Sequence, residues 1–249
     1  MKQANIQAPV ALVTGAARRI GAAIAHYLHQ AGFRVVIHYQ RAQEAADTLV
    51  TTLNGLRVNT ATSMAADLSI KSSAAKLITD SVAWGNGLNL LVNNAALFMG
   101  TDLAIDEEEP WDAMFTLNVK APFWLSQAAY PYLAAQQGAI INITDIHADK
   151  PLKNYAIYCQ SKAALSMQTK SLAREFAPLV RVNAVAPGAI AWPEHENALS
   201  PNLQKKIIEK TALKQHGMPI YVAQAVLALA ENPFITGQTL TVDGGRALI

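Results

Sequence analysis

Short apolar runs separated by longer amphipathic stretches recur from one end of the chain to the other. Parallel strands need crossovers of a dozen or more residues, and those crossovers cover both faces of the sheet, so the strands themselves read as continuous apolar runs. Runs at 10–14, 34–39, 57–61, 88–93, 139–144, 180–185 and 239–242 are the predicted strands. Helical patterns fall at 20–31, 43–53, 72–84, 111–135, 155–176 and 219–231. The expected fold class is α/β, a Rossmann-type doubly wound parallel seven-stranded sheet. A chain of 249 residues suits one core of this kind. Residues 1–249 are therefore read as a single domain.

One segment, at about 192–217, breaks the rhythm with Pro193, Pro201, charged residues and a short helix around 203–210. Ligands of a doubly wound sheet bind beyond the carboxyl ends of its strands, so an insertion after the sixth strand overhangs that edge. It reads either as a substrate lid or as a surface excursion without function.

Hydrophobic residues at 51% and charged residues at 15% exclude a disordered chain. A net charge of +2 gives no support for a nucleic-acid partner. Cys159 is the only cysteine, so no intramolecular disulfide can form, and His147, His195 and His216 lack metal-ligand spacing. No metal is expected. The N-terminus lacks the apolar core of a signal peptide, and no run approaches the roughly 18 apolar residues of a membrane span. The expectation is a cytoplasmic protein with no membrane partner.

The first predicted strand ends in Thr14-Gly15-Ala16-Ala17-Arg18-Arg19-Ile20-Gly21 and runs straight into a helix. Small residues let the backbone approach a pyrophosphate, and the free N–H groups at the helix start favour its charge. After the second strand the chain reads His38-Tyr39-Gln40-Arg41, without the carboxylate that holds an NAD ribose in many such sheets. Arg18 and Arg41 could pair with a 2′-phosphate instead, which favours NADPH. Arg41 could also be a solvated surface charge.

Tyr158 and Lys162 lie four apart in a helical pattern and so share one face. A nearby ammonium lowers the pKa of a phenol, and a tyrosine tuned in this way can act as a general acid.

The TGxxxRxG turn, Asn93-Asn94-Ala95, Asn118, Tyr158-xxx-Lys162, Pro187-Gly188 and Thr241-Val242-Asp243-Gly244-Gly245 together resemble, in order and spacing, the short-chain dehydrogenase/reductase superfamily. The resemblance covers essentially the whole chain. It implies catalytic roles for Tyr158, Lys162 and Asn118, with Asn118 helping to hold a water beside Lys162. It also implies a cofactor set of Gly15, Arg18, Arg19, Ile20, Tyr39, Arg41, Asp67, Leu68, Asn93, Ala95, Tyr158, Lys162, Pro187 and Gly188, and a homotetramer.

Three departures from the common superfamily pattern resemble the pteridine reductases and the related dihydropterin and dihydrofolate reductases. Asp145 stands where most members have a serine, Arg19 replaces the middle glycine, and Phe98 follows the Asn-Asn-Ala motif. This narrower resemblance implies reduction of a pterin or folate ring with Arg19, Phe98, Asp145, Tyr158 and Trp192 around the substrate. Reducing a C=N bond requires a proton on nitrogen, which Asp145 beside Tyr158 would help to deliver, while Phe98 could stack on the ring. Blander readings stand beside these. Asp145 could cap a turn, Thr144 could supply the hydroxyl in a shifted register, Phe98 could be packing, and Arg19 could bind pyrophosphate alone. On the same scaffold the chain could instead reduce a ketone or 3-oxoacyl group, or bind NADPH without turnover as a sensor.

Overall fold

Alternate residues of β1 (Val10–Val13) serve different cores, Ala11 and Val13 on one side of the sheet, Val10 and Leu12 on the other. A computed structural model of the chain describes residues 8–102, 108–192 and 199–249. Helices α1 (Arg19–Gln30) and α2 (Gln43–Leu56) cover the first face, together with α8 (Pro219–Glu231). The second face is covered by α3 (Lys71–Gly85), α5 (Ala121–Ala135) and α6 (Ala156–Phe176). Strands buried from both sides have no polar face, which is why they read as apolar runs.

The remaining strands are β2 (Arg34–Tyr39), β3 (Ala61–Ala65), β4 (Leu90–Asn93), β5 (Ala139–Ile143), β6 (Arg181–Pro187) and β7 (Thr239–Val242). All neighbours pair in parallel, in the order β3-β2-β1-β4-β5-β6-β7. The direction of winding reverses between β1 and β4, and a crevice opens there at the carboxyl edge. Before α5 come α4 (Glu108–Phe115) and a single wide π-type turn at Thr116–Lys120. A short helix, α7 (Pro201–Glu209), lies in the segment after β6. Residues 193–198 of that segment, including Pro193 and His195, lie outside the described residues. Among the described residues, no helix is long and apolar enough to cross a membrane.

The third strand is displaced from its expected place. Residues 57–60 form a turn: the Arg57 guanidinium donates to the carbonyls of His29, Gly32 and Phe33, and the Asn54 Oδ1 accepts from the amides of Thr60 and Ala61. The strand proper, ATSMA, lies at the edge of the sheet and is only partly buried. It therefore lacks the apolar run that marks the central strands.

Candidate active site

The turn after β1 is held from several sides. Thr14 Oγ1 accepts from the amides of Asn94 and Ala95 at 2.9 and 3.0 Å, and Asn94 Nδ2 donates to the carbonyls of Thr14 and Gly15. Gly15 has φ +60°, and a Cβ added at Gly21 would sit 2.4 Å from the Gly15 carbonyl oxygen. Only a chain without side-chain atoms at position 21 can pack so tightly. The result is a small-residue cradle that leads into the N-terminus of α1, a geometry suited to an anionic pyrophosphate.

Arg18, in this turn, and Arg41, beyond the end of β2, are both exposed. The Asp67 carboxylate accepts from the Ser69 amide and hydroxyl at 2.9 and 2.7 Å. Those bonds, with smaller help from Gln40 and Arg41, hold its pKa below the usual carboxylate value. Leu68 is buried, and Ile20 and Tyr39 are half-buried. Arg19 takes a left-handed backbone with φ +55°, a conformation that costs most L residues about 1 kcal/mol. Its guanidinium donates to the carbonyls of Ala191 and Trp192 at 3.2 and 2.7 Å. The arginine expected at the pyrophosphate is thus fastened to the segment that follows β6.

Asp145, Tyr158 and Lys162 come together at the carboxyl end of β5, and Asn118 bonds to Ser161, the neighbour of Lys162. Tyr158 Oη donates to Asp145 Oδ2 at 2.8 Å, while Asp145 Oδ1 accepts from the His147 amide at 2.8 Å. The two readings of Asp145 therefore hold simultaneously: one oxygen caps a turn and the other faces the phenol. Burial, then the charge and hydrogen bond of Asp145, push the Tyr158 pKa well above its ordinary value. This is the direction that a carboxylate beside the phenol imposes, opposite to the lowering that a nearby ammonium by itself would give. Lys162 Nζ donates to the Ile143 carbonyl at 2.9 Å and lies 5.8 Å from the Tyr158 ring centroid. Burial lowers its own pKa to about 8, with Asp145 opposing. Thr144 turns away from the phenol, its hydroxyl donating to the Val185 carbonyl at 3.1 Å. The shifted-register alternative is thereby removed.

The Asn118 side chain is occupied by Leu97, accepting from its amide and donating to its carbonyl, and by the Ser161 hydroxyl. It sits at the centre of the π-type turn. The Asn93 amide points into the interior, where it donates to Asn142 Oδ1 at 2.8 Å. The neighbouring Asn94 is the asparagine that meets the cradle. Phe98 stacks on Tyr155 at 4.5 Å and meets Tyr158 edge-on at 4.7 Å, in a small cluster with Met114 and Cys159. Trp192 stacks on His216 at 4.3 Å. Pro187 ends β6, and at Gly188 an added Cβ would lie 2.6 Å from the Asp243 Cβ, so close packing alone demands that glycine.

Tyr155 and Ser161 carry no motif of their own, while Asn94 and His38 lie inside Asn93-Asn94-Ala95 and His38-Tyr39-Gln40-Arg41 without a role there. The position of Asn94 beside Asn93 is the signal by which it could be found. The others gain their meaning from partners distant along the chain.

The model of the family described as enoyl-(acyl carrier protein) reductase matches residues 15–247. A protein described as a ketoacyl reductase of the granaticin polyketide synthase of Streptomyces violaceoruber is 35% identical over 250 residues, covering 98% of each chain. Pteridine reductase 1 of Leishmania tarentolae is 33% identical over 284 residues, covering 97% of each. A 3-oxoacyl-(acyl-carrier-protein) reductase of Staphylococcus epidermidis is 34% identical over 239 residues, covering 94% of this chain and 97% of that one.

Proposed function

Because the chain belongs to the short-chain dehydrogenase/reductase family, whose members are oxidoreductases that use nicotinamide cofactors, we propose that it reduces a pterin or folate ring with NADPH. The observation that carries the pterin reading is the 2.8 Å hydrogen bond from Tyr158 to Asp145. A carboxylate at that position offers no hydroxyl to a ketone oxygen. It does keep the phenol protonated, and a protonated phenol is what a ring nitrogen needs as carbon is reduced.

NADPH, bound on the cradle, would supply the hydride. The exposed Arg18 and Arg41, with no carboxylate at the end of β2, support the phosphorylated cofactor. Tyr158 holds the proton at Oη and donates it to the substrate, and Asp145 orients the phenol and takes part in its reprotonation. Lys162, half-titrated near pH 8, supplies positive charge behind the phenol and binds the ribose. Asn118 keeps the Leu97 backbone in place, so that Phe98 and Tyr155 present a flat aromatic wall beside Tyr158. Arg19 and Trp192 bound the pocket on the side of the segment after β6.

A ketone or 3-oxoacyl substrate is the second reading, favoured by the ketoacyl reductases among the relatives at similar identity. Turnover of wild type and Asp145→Ser on dihydropterin, dihydrofolate and ketone panels separates the two. The pterin reading expects dihydropterin turnover to fall by about a hundredfold in the variant, the scale of lost general acid-base assistance. Unchanged dihydropterin turnover, or activity on ketones alone, would refute it. A homotetramer is part of the proposal, supported by the exposed Phe123 on α5 and Met167 on α6. A cytoplasmic location is supported by the single unpaired Cys159.

A further inference from the structure

His38 is 2% exposed and lies beneath the cofactor cradle, and both of its ring nitrogens bond outside the catalytic cluster. Its Nδ1 is 3.0 Å from the Gly15 amide, which can only donate, and its Nε2 is 3.1 Å from the Ala66 carbonyl, which can only accept. The ring must therefore be neutral, with its one proton on Nε2. Burial supports this by lowering its pKa to about 4. The His38 carbonyl also accepts from the Ala16 amide at 2.9 Å.

These bonds join two places that are far apart in the chain. One is the turn after β1, where Gly15 adopts φ +60°. The other is the corner after β3, where Ala66 precedes Asp67 and its amide donates to the Tyr39 carbonyl. Turning the Gly15 amide inward onto an imidazole leaves the N–H groups at the start of α1 as the outward-facing donors.

We propose that His38 is a positioning residue for the cofactor: its Nδ1 sets the pyrophosphate turn by accepting from the Gly15 amide, and its Nε2 bond to Ala66 fixes the tautomer that leaves Nδ1 an acceptor. The inference rests on the reading above that this turn holds the dinucleotide. A histidine that merely filled the core would need neither bond to be specific.

Three substitutions divide the ring's functions. His38→Phe keeps bulk without either bond, His38→Asn places an acceptor near the Nδ1 position, and His38→Gln places a donor near the Nε2 position. NADP+ and NADPH dissociation constants, melting temperatures, and kcat and KM for NADPH are measured for each. His38→Asn should bind within about threefold of wild type, and His38→Gln and His38→Phe about tenfold or more weakly, the scale of one hydrogen bond to a positioned amide. KM for NADPH should rise in parallel, with kcat at saturating cofactor changed much less. If the Phe variant does not fold, the contrast between the Asn and Gln variants decides the matter alone.

Wild-type affinity in His38→Gln, or an Asn variant as weak as the Gln variant, overturns the proposal even if the variants melt lower. A wild-type protein that binds neither dinucleotide instead removes the cofactor reading beneath it.

Discussion

Replacing Lys162 with methionine should stabilise the cofactor-free protein near neutral pH while abolishing turnover. Lys162 is 3% exposed, and burial carries its pKa from 10.5 to about 8. At about 1.4 kcal/mol per pKa unit, the folded state disfavours the ammonium by about 3 kcal/mol. Methionine removes that penalty but leaves the Ile143 carbonyl without its donor, at a cost of about 1 kcal/mol. The net gain at pH 7 is about 2 kcal/mol.

The sign with pH follows from proton counts. Between pH 8 and 10.5 the unfolded lysine holds more protons than the folded one, so wild-type stability climbs as pH rises through that window. Below about pH 8 both states are charged, and the penalty is complete and constant. Tyr158 works in the opposite sense. Its raised pKa contributes stability that is lost only above the ordinary phenol value of 10, so measurements stop at pH 10. Urea unfolding of both proteins at pH 7, 8, 9 and 10 should show a gap of about 2 kcal/mol that closes to near zero. A gap that stays constant over that range would refute the burial argument. A variant less stable at pH 7 would show that the lost bond outweighs the desolvation.

Tyr158→Phe should lower kcat about a hundredfold or more, with an unchanged circular dichroism spectrum; substantial residual turnover would move the proton donor elsewhere. Arg41→Ala should weaken NADPH about tenfold and leave NADH almost unchanged, as expected for a lost contact to a 2′-phosphate. Equal affinities of the wild type for both cofactors, measured by calorimetry, would end the NADPH assignment. Gly21→Ala pushes a methyl group to 2.4 Å from the Gly15 carbonyl, so it should cost about 1–3 kcal/mol in chemical denaturation and weaken cofactor binding.

The central strands were legible because each is buried on both faces, and a sequence shows that directly as an apolar run. β3 was not, since an edge strand with Thr62 and Ser63 half-exposed carries no such signal. The Arg57 and Asn54 bonds that end α2 reach back to α1 or forward across the turn, which no local pattern reveals. The same distinction divides the candidate site. Tyr158 and Lys162 were readable from helical spacing, and their proximity to Asp145 from the resemblance to the family, in which that position holds a serine. The inward turn of Asn93 was hidden because its partner Asn142 is 49 positions away on the next strand. Arg19 was identified by its departure from a glycine pattern, but its hold on Ala191 and Trp192 spans more than 170 positions.

The wide turn at Thr116–Lys120 also has a bearing on which insertions and deletions the chain can bear. An α-helix advances about 100° per residue, so a turn closed by i→i+5 bonds resets the angular phase of everything after it. At this chain length the side chains of α5 that meet the sheet, Ala121, Leu125, Ala129 and Leu133, point inward only with that reset in place. Regularising that turn without removing a residue would swing this apolar stripe about a quarter-turn off the sheet, whereas deleting one residue would give a regular helix with the stripe still facing inward. The irregularity around Asn118 thus works as a phase key between α4 and α5. Loss of one residue at this point is open to the chain, whereas an insertion with no further wide turn to absorb it would rotate α5 off the sheet.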